Sequence, residues 1–556
     1  MRNGSYHHHG SIGRRCGNAA VLCMLVAIAA CGSGKLRTGP IEPSAEASSS
    51  MSGGSAVGGS ASDGGVVATD AESRADTSAT STDDAANEGS AGTGATPTDG
   101  GARDGANGSG ADADASGRED GGLDGAREAG GAPALVKSGE SLLTDAGLST
   151  VSYGAYINGE SFQEDGVVTY NGYEYTAFWN ANRHVVLARR ALPAGAWSSF
   201  ELADYANTVD DAHNTVSLGV CPADGTLHLA FDHHSSNLHY RVSVPGLVTH
   251  PAPTPWSASS FSAVTGSLVG GAPVTQLTYP RFVTEPDGTK MLFEARIGAS
   301  GNGDQYLWEY DGATHAWTLL GRYVNGTANS VNAYAHGLSY TKGGTRLHMA
   351  WCWRDTPDPS TNHDLLYIYS DDHGRTWKND ADAVVAVTGS SWVTTISSGI
   401  HAWTIRPGRG LINSEHMAVD SAGLVHVLLS HMPDSQGDDL NFDSARTKSL
   451  FFHYWKSPRG TWTRTPMGLP VVASFRGKLA IVSTGDVYAI LPDLRIAAAS
   501  KASSFSNWTV LSTGDSGRFF SDPLVDTARL ASEDKLTIVY PQRAASNIFV
   551  LDYVLK

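Results

Sequence analysis

Cysteine is scarce in this chain, with five among 556 residues. Cys16, Cys23 and Cys31 fall at the N-terminus, leaving only Cys221 and Cys352 for the remainder. Neither stands in a CxxC or other recognised metal-ligand spacing, so the sequence points to neither thiol redox chemistry nor a cysteine zinc site. One disulfide or two separate buried thiols remain open. Basic residues are also few: 39 Lys and Arg against 56 Asp and Glu give a net charge of −17. That balance argues against a nucleic-acid binder of the usual basic kind. The acidity is unevenly spread, because residues 41–136 carry 17 acidic and 4 basic residues, a net of −13. The rest of the chain is close to neutral, so the total says little about a substrate. Long apolar runs are missing too. Ala19 to Ala30 is the longest, too short to span a bilayer as a mature helix.

What is present at the N-terminus is an export pattern: Arg14 and Arg15, the apolar run, then Ile28-Ala29-Ala30-Cys31. The last four residues resemble the lipobox of bacterial lipoproteins, in which the cysteine becomes the lipidated N-terminus after cleavage. The resemblance implies lipidation at Cys31, loss of His7–His9 with the signal, and anchoring at the bacterial outer membrane or cell surface; the alternative is an ordinary secretory signal and a secreted protein. Residues 32–135 are Gly, Ser, Ala, Asp and Thr with almost no aromatic or large aliphatic side chains. Such a segment cannot bury enough apolar surface to offset its ordering entropy, and a disordered linker is expected.

From 136 to 556 the pattern changes to short strand-like runs parted by Gly, Asp, Asn and Pro turns, with no long amphipathic helix. The runs recur in a loose unit that ends at a tryptophan. Lys290 to Ala295 with Tyr306 to Tyr310 leads to Trp317, Arg346 to Trp353 with Leu365 to Ser370 leads to Trp377, and Leu424 to Leu429 with Leu450 to Trp455 leads to Trp462. Repetition of this kind in an all-β chain predicts a β-propeller, and the number of units predicts seven blades. Ser370-Asp-Asp372-His-Gly374-Arg-Thr376-Trp377 is similar to the Asp-box of BNR-repeat propellers, S-x-D-x-G-x-T-W. There the Asp caps the turn and the Trp packs between sheets, which is a structural role.

Two hairpins carry the chemistry. In DAHNTVSLGVCPADGTLHLAFDHHSSNLHY, residues 211–240, the strands Val216 to Val220 and Thr226 to Phe231 turn at Asp224-Gly225. This places residue 213 roughly opposite 236, so His213 and the pair His233-His234 emerge at one end. His228 and His239 fall inside strand patterns and are expected to be structural. In TYPRFVTEPDGTKMLFEARIGASGNGD, residues 278–304, the turn is Asp287-Gly288 and Tyr279 returns to the same end as Arg296. Equivalent strand ends converge on one face of a propeller, so the two sets are expected to line a single cleft. Later strand ends add Asn332, Tyr334 and His336 in NAYAHG, Arg354 after WCW, and His416 in NSEHM.

The D-x-HN before a strand, the DHH at its return, TYPRF, and an Arg ahead of SGNGD together resemble the β-propeller polysaccharide lyases, especially the ulvan lyases. Glu294-Ala295 precedes Arg296 where that family would place an aromatic. The resemblance implies β-elimination on a uronate-containing polysaccharide, ulvan-like or rhamnose-glucuronate, with His213, Tyr279 and Arg296 catalytic. His233, His234, Arg281, Tyr334, Arg354 and His416 are the expected substrate-binding residues. The chemistry agrees with these residue types: a permanent cation stabilises the enolate-like charge on the uronate carboxylate. A base for the C5 proton and an acid for O4 can come from Tyr279 and His213, in either assignment. No cofactor and no metal is required, although a structural ion is compatible with the fold. The partner expected is an acidic polysaccharide, with no nucleic acid, membrane contact only through the lipid, and a monomeric state. The alternatives are a propeller glycoside hydrolase, either α-L-rhamnosidase or sialidase-like, and a non-catalytic glycan-binding surface lipoprotein.

Overall fold

The computed structural model describes residues 131–556 apart from 161, 163–164, 473–474 and 520. Cys31, the expected signal and nearly all of the expected linker lie outside the described residues. Strand makes up 47% and helix 6%. The helices are short, Phe442–Thr447 and Thr527–Glu533 being the two α-helical segments among the described residues.

Successive strands pair antiparallel in up-and-down meanders. Val167–Tyr170, Tyr173–Trp179, Val185–Ala191 and Ser198–Leu202 form the first sheet, and Val216–Cys221, Thr226–Phe231 and Tyr240–Val242 the second. Next come Leu277–Thr284, Lys290–Ala299, Asn302–Asp311 and Ala316–Val324, and then Asn332–Tyr340, Leu347–Arg354 and Asn362–Ser370 with shorter outer strands. A one-pair parallel bridge, Gly303 to Asn332, joins these two sets into one ten-stranded sheet. Two four-stranded meanders span His416–Val419 to Thr463–Pro470 and Lys478–Ile481 to Thr509–Thr513. The last sheet takes Leu524–Val525, Lys535–Pro541 and Ile548–Leu555 from the C-terminus and Leu135–Thr144 from the start, with Leu135 opposite Leu555. The first and last strands among the described residues therefore lie in one sheet. A buried ionic network secures that sheet to the first one: Arg190 binds Glu174 at 2.6 Å and Asp552 at 2.8 Å, and Arg529 binds Asp552 at 2.6 Å.

The architecture is that of a β-propeller. The inner strands are apolar on both faces because sheets pack against sheets on either side. Every residue of Val216–Cys221, Thr226–Phe231 and Leu347–Arg354 is buried. First strands of successive meanders converge on a central cavity of about 350 Å³, lined by Val168, Leu218, Phe282, Leu338, Met417 and Leu479 and reached by Leu530 of the second helix. The Asp-box behaves as its sequence predicts. Asp372 Oδ1 accepts from the Thr376 N–H at 2.7 Å and from Ser370 Oγ at 2.7 Å, and Ser370 Oγ accepts from the Gly374 N–H at 2.8 Å. Trp377 is fully buried and stacks on Tyr323 of the preceding meander at 4.8 Å. Truncation of such a ring costs about 3–5 kcal/mol. Cys221 and Cys352 are separate, buried thiols.

Buried imidazoles give the fold a defined acid sensitivity. Burial holds His228, His336 and His348 down to about 3 and His426 and His431 to about 4. The unfolded chain takes up these protons near pH 6.5 and the folded chain does not. The stability they confer is therefore complete above about pH 6.5 and is lost as pH falls towards 4, by about 1.4 kcal/mol per pH unit for each imidazole. Calorimetry is expected to show the Tm falling steadily from pH 7 to pH 5; a flat Tm across that window would contradict this assignment.

Candidate active site

The first hairpin turns at Asp224-Gly225 and pairs Val216 with Phe231. That register brings residue 234, not 236, alongside 213. Asp211 joins the two: its Oδ1 accepts from His213 Nδ1 at 2.7 Å and its Oδ2 from His234 Nδ1 at 2.6 Å. An ionised carboxylate can only accept, so both imidazoles carry a proton on Nδ1, and in a neutral ring Nε2 is then the open lone pair. The rings stack at 4.0 Å with 16° between their planes. Burial works against charge on Asp211, but the two histidine hydrogen bonds hold its carboxyl far below the usual carboxylate range. Burial and the neighbouring His234 press His213 down to about 4 against the opposing pull of Asp211, so the ring is neutral at pH 7.

The second hairpin contributes Tyr279 through an irregularity. Thr278 pairs with Arg296 and Arg281 with Glu294, so the register shifts between them at Tyr279-Pro280. Tyr279 takes φ +58°, a left-handed conformation that a bulky L-residue rarely adopts. Such bulges re-aim a side chain next to a site. Here the ring comes edge-on to Tyr334 at 5.8 Å and lies 6.0 Å from His213. Burial, reinforced by Tyr334, pushes the Tyr279 hydroxyl above the ordinary tyrosine value despite Arg296, Arg354 and Arg476 nearby. The group is a protonated donor at neutral pH.

Arg296 closes the arrangement. Its guanidinium lies over the Tyr279 ring at 5.1 Å, and its Nη2 donates to Thr278 Oγ1 at 2.7 Å and Ser235 Oγ at 3.0 Å. The glycines of SGNGD explain how it fits: a Cβ on Gly303 would meet Arg296 Cγ and Cδ at 3.1 Å. Arg354 approaches from the next meander, donating to Tyr334 Oη at 3.1 Å, Asn413 Oδ1 at 3.0 Å and Asn362 Oδ1 at 2.7 Å. Burial opposes ionisation of Tyr334, but Arg354 and Arg296 outweigh it and hold its hydroxyl below the ordinary value. Arg296 is 1% exposed and Arg354 8%, and among the described residues neither has a carboxylate partner. Two buried guanidinium groups without counter-ions form a site for an anion, because a buried charge is costly until it is paired.

His213, His234, Tyr279, Arg296, Tyr334 and Arg354 are thus brought together, and three other expected residues are not. Arg281 is turned to Glu294, with Nη1 on Oε2 at 2.7 Å, both fully enclosed, and Nη2 donates to the Ala335 carbonyl at 3.1 Å. That ion pair also explains the acid at 294, which neutralises a core arginine instead of supporting Arg296. His233 points into the core, where its Nε2 accepts from the His239 N–H at 2.9 Å. His416 lines the central cavity and accepts from the Leu479 N–H at 3.0 Å. For these three, a structural contact occupies the group that a substrate would need. Arg281→Met is expected to cost about 3–5 kcal/mol in denaturant unfolding, because it strands Glu294 in the core; a change below 1 kcal/mol would argue against that pairing.

Other contributors are evident only in the structure. Asp211 carried a signal, the D-x-H spacing, but no assigned role. Arg476 carried none: its Nη1 binds Glu160 at 3.0 Å and Asp522 at 3.4 Å, and its Nε donates to the Asn413 carbonyl at 2.8 Å. Burial, with Asp522 alongside, raises Glu160 well above the usual carboxylate range. Asp211, His213 and His234 also have donor atoms within 4.8 Å of one another, the spacing a cation would need. In the arrangement seen, both Nδ1 atoms and both carboxylate oxygens already satisfy each other.

Residues 173–468 match the BNR repeat-containing family member model. The ulvan lyase, long isoform, of Pseudoalteromonas sp. (strain PLSV) is 28% identical over 261 residues, covering 39% of this chain and 26% of the relative. The ulvan lyase, short isoform, of Alteromonas sp. (strain LOR) is 24% identical over 327 residues, 50% of this chain and 58% of the relative. The chain thus spans about a quarter of the long isoforms it matches. Among solved structures, polysaccharide lyase Uly1 superposes with a TM-score of 0.58 at 18% identity, over 75% of this chain and 99% of that one. A PL25 ulvan lyase bound to -[GlcA(1-4)Rha3S]- gives 0.51 at 11% identity, over 73% and 94%. At these identities the superpositions speak for the fold.

Proposed function

This chain belongs to the BNR repeat-containing family, and from that premise we propose that it is a polysaccharide lyase that cleaves a uronate-containing, ulvan-like polymer by β-elimination. The observation that carries the reading is the pair of buried arginines, without a carboxylate partner among the described residues, beside a neutral imidazole and a protonated tyrosine. The sequence similarity to ulvan lyases supports the same substrate class.

The uronate carboxylate binds Arg296, which can offer two N–H groups and a permanent charge. As the C5–H bond breaks, negative charge moves onto that carboxylate, and a cation already in place stabilises it without reorganisation. His213 Nε2 takes the C5 proton. Asp211, hydrogen-bonded to Nδ1, steadies the imidazolium that forms. The electron pair of the C5–H bond becomes the C4–C5 double bond, the C4–O4 bond breaks, and Tyr279 delivers its proton to the departing O4. The resting protonation states thus assign base to His213 and acid to Tyr279. His234, Tyr334 and Arg354 surround the same sugar as binding groups.

The same proposal includes seven blades, the ten-stranded sheet counting as two; the first strands of six reach the central cavity, and the second helix reaches it from the seventh. It also includes a monomer exported and anchored through lipid on Cys31, a placement suited to polymers too large to import. Incubation with ulvan is expected to raise ultraviolet absorbance at the unsaturated uronate band. Release of reducing sugar without a double bond would mean hydrolysis, and binding without turnover would mean a lectin.

A further inference from the structure

The His213 imidazole is held by more than its hydrogen bond. One Nδ1–H···O contact fixes one atom of the ring and leaves the ring free to pivot about that contact, which sweeps Nε2 through an arc. The plane of the ring is set by what touches its faces. His234 covers one of them at 4.0 Å. Phe162 is parallel to the imidazole within 12°, with centroids 5.2 Å apart, and is itself 2% exposed. The Arg476 guanidinium lies over the Phe162 ring at 4.8 Å, and Tyr279 meets the ring edge-on at 5.0 Å. Guanidinium, phenyl and the two imidazoles therefore form one column.

The backbone leading into Phe162 is anchored independently of the histidines. The Gly159 carbonyl accepts from the Asp522 N–H at 2.9 Å and from Ser521 Oγ, and the Glu160 carboxyl binds Arg476 at 3.0 Å. The column is consequently fixed at its far end to the Ser521-Asp522 segment that precedes Leu524 and at its near end to Asp211. A phenyl ring in this position has no proton to give and no charge to offer. What it supplies is a flat, rigid face.

We propose that Phe162 is a positioning residue for the elimination: its ring, backed by Arg476, sets the plane of His213 and thereby the direction of the Nε2 lone pair towards C5. The inference rests on the reading of His213 as the base. Misplacement of a reacting group by about 1 Å costs on the order of 10²-fold in rate, and loss of one face of the clamp permits a displacement of that size.

The test uses the full-length protein with Phe162→Leu, which keeps apolar volume without a flat face, and Phe162→Tyr, which keeps the ring. On ulvan, the Leu variant is expected to lose about ten- to a hundredfold in kcat with KM within about twofold, and the Tyr variant to stay within about threefold of the parent. The second readout needs no substrate. With ¹³C-labelled histidine, the His213 ring-proton resonances, assigned by their absence in His213→Asn, are expected upfield under the Phe162 ring current, to move downfield in the Leu variant and to stay in the Tyr variant. Unchanged kcat in Phe162→Leu, a loss confined to KM, or His213 resonances that do not move would each overturn the proposal. If no polymer is cleaved yet the resonances behave as stated, the clamp stands and the lyase reading fails; the two failures are separable.

Discussion

Replacing His213 by Asn is expected to lower kcat on ulvan by about 10²–10⁴-fold, the range for removal of a general base, while thermal unfolding stays close to that of the parent. The side chain is shorter but can still donate to Asp211, so the local hydrogen bond survives while the Nε2 lone pair and the ring's stacking on His234 and Phe162 are lost. His234 is not an adequate substitute, although it shares Asp211 and stacks at 4.0 Å. Its Nε2 occupies a parallel plane displaced from that of His213, and proton transfer does not tolerate such an offset. Single-turnover kinetics with the unsaturated product as the signal separate this outcome from a binding defect. If the variant retained more than a tenth of the parent kcat, His213 would not be the base and Tyr279 would take that role.

Arg296→Met is expected to lower kcat by about 10²–10³-fold, the size found when one preorganised group that stabilises a developing oxyanion is removed, and to raise stability at the same time. Arg296 is buried at 1% exposure, held by Thr278 and Ser235 hydroxyls with no carboxylate near it among the described residues. An apolar side chain of similar length removes the desolvation cost of an unpaired cation, so the change is neutral to stabilising by about 1–4 kcal/mol. Arg281→Met, fifteen residues earlier in the same hairpin, has the opposite expectation because the buried Glu294 carboxylate loses the cation that pairs with it. Two arginine substitutions in one hairpin with stability changes of opposite sign test the division between a structural and a substrate-facing cation. A loss of stability in Arg296→Met would indicate a structural role there too.

That division was not readable from residue order. TYPRF and the EAR before SGNGD offer two arginines at the same hairpin end, and period alone does not choose between them. The choice depends on the register shift at Tyr279-Pro280, which sets Arg281 opposite Glu294 and leaves Arg296 opposite Thr278. Likewise the DHH motif offers two histidines. The chain turns at Asp232, with φ +65°, sending His233 into the core and His234 to Asp211. The pairing of 213 with 236 was two residues off, because the tight Asp224-Gly225 turn sets Val216 against Phe231.

The amino-acid sequence by itself determined the features that depend on neighbours in the chain. Strand periodicity, Asp-Gly turns, the Asp-box and the arrival of His213 with His234, and of Tyr279 with Arg296, at shared hairpin ends all follow from local rules of turn geometry and side-chain alternation. The tertiary structure alone decided which groups meet across sheets. Asn413 reaches Arg354, Tyr334 lies between two guanidinium groups, and Arg476 covers the Phe162 ring from more than three hundred residues along the chain. Those contacts are set by the packing of one sheet against the next and by Leu135–Thr144 sharing a sheet with Ile548–Leu555. No local pattern encodes them, and the buried charges of the site acquire their function only there.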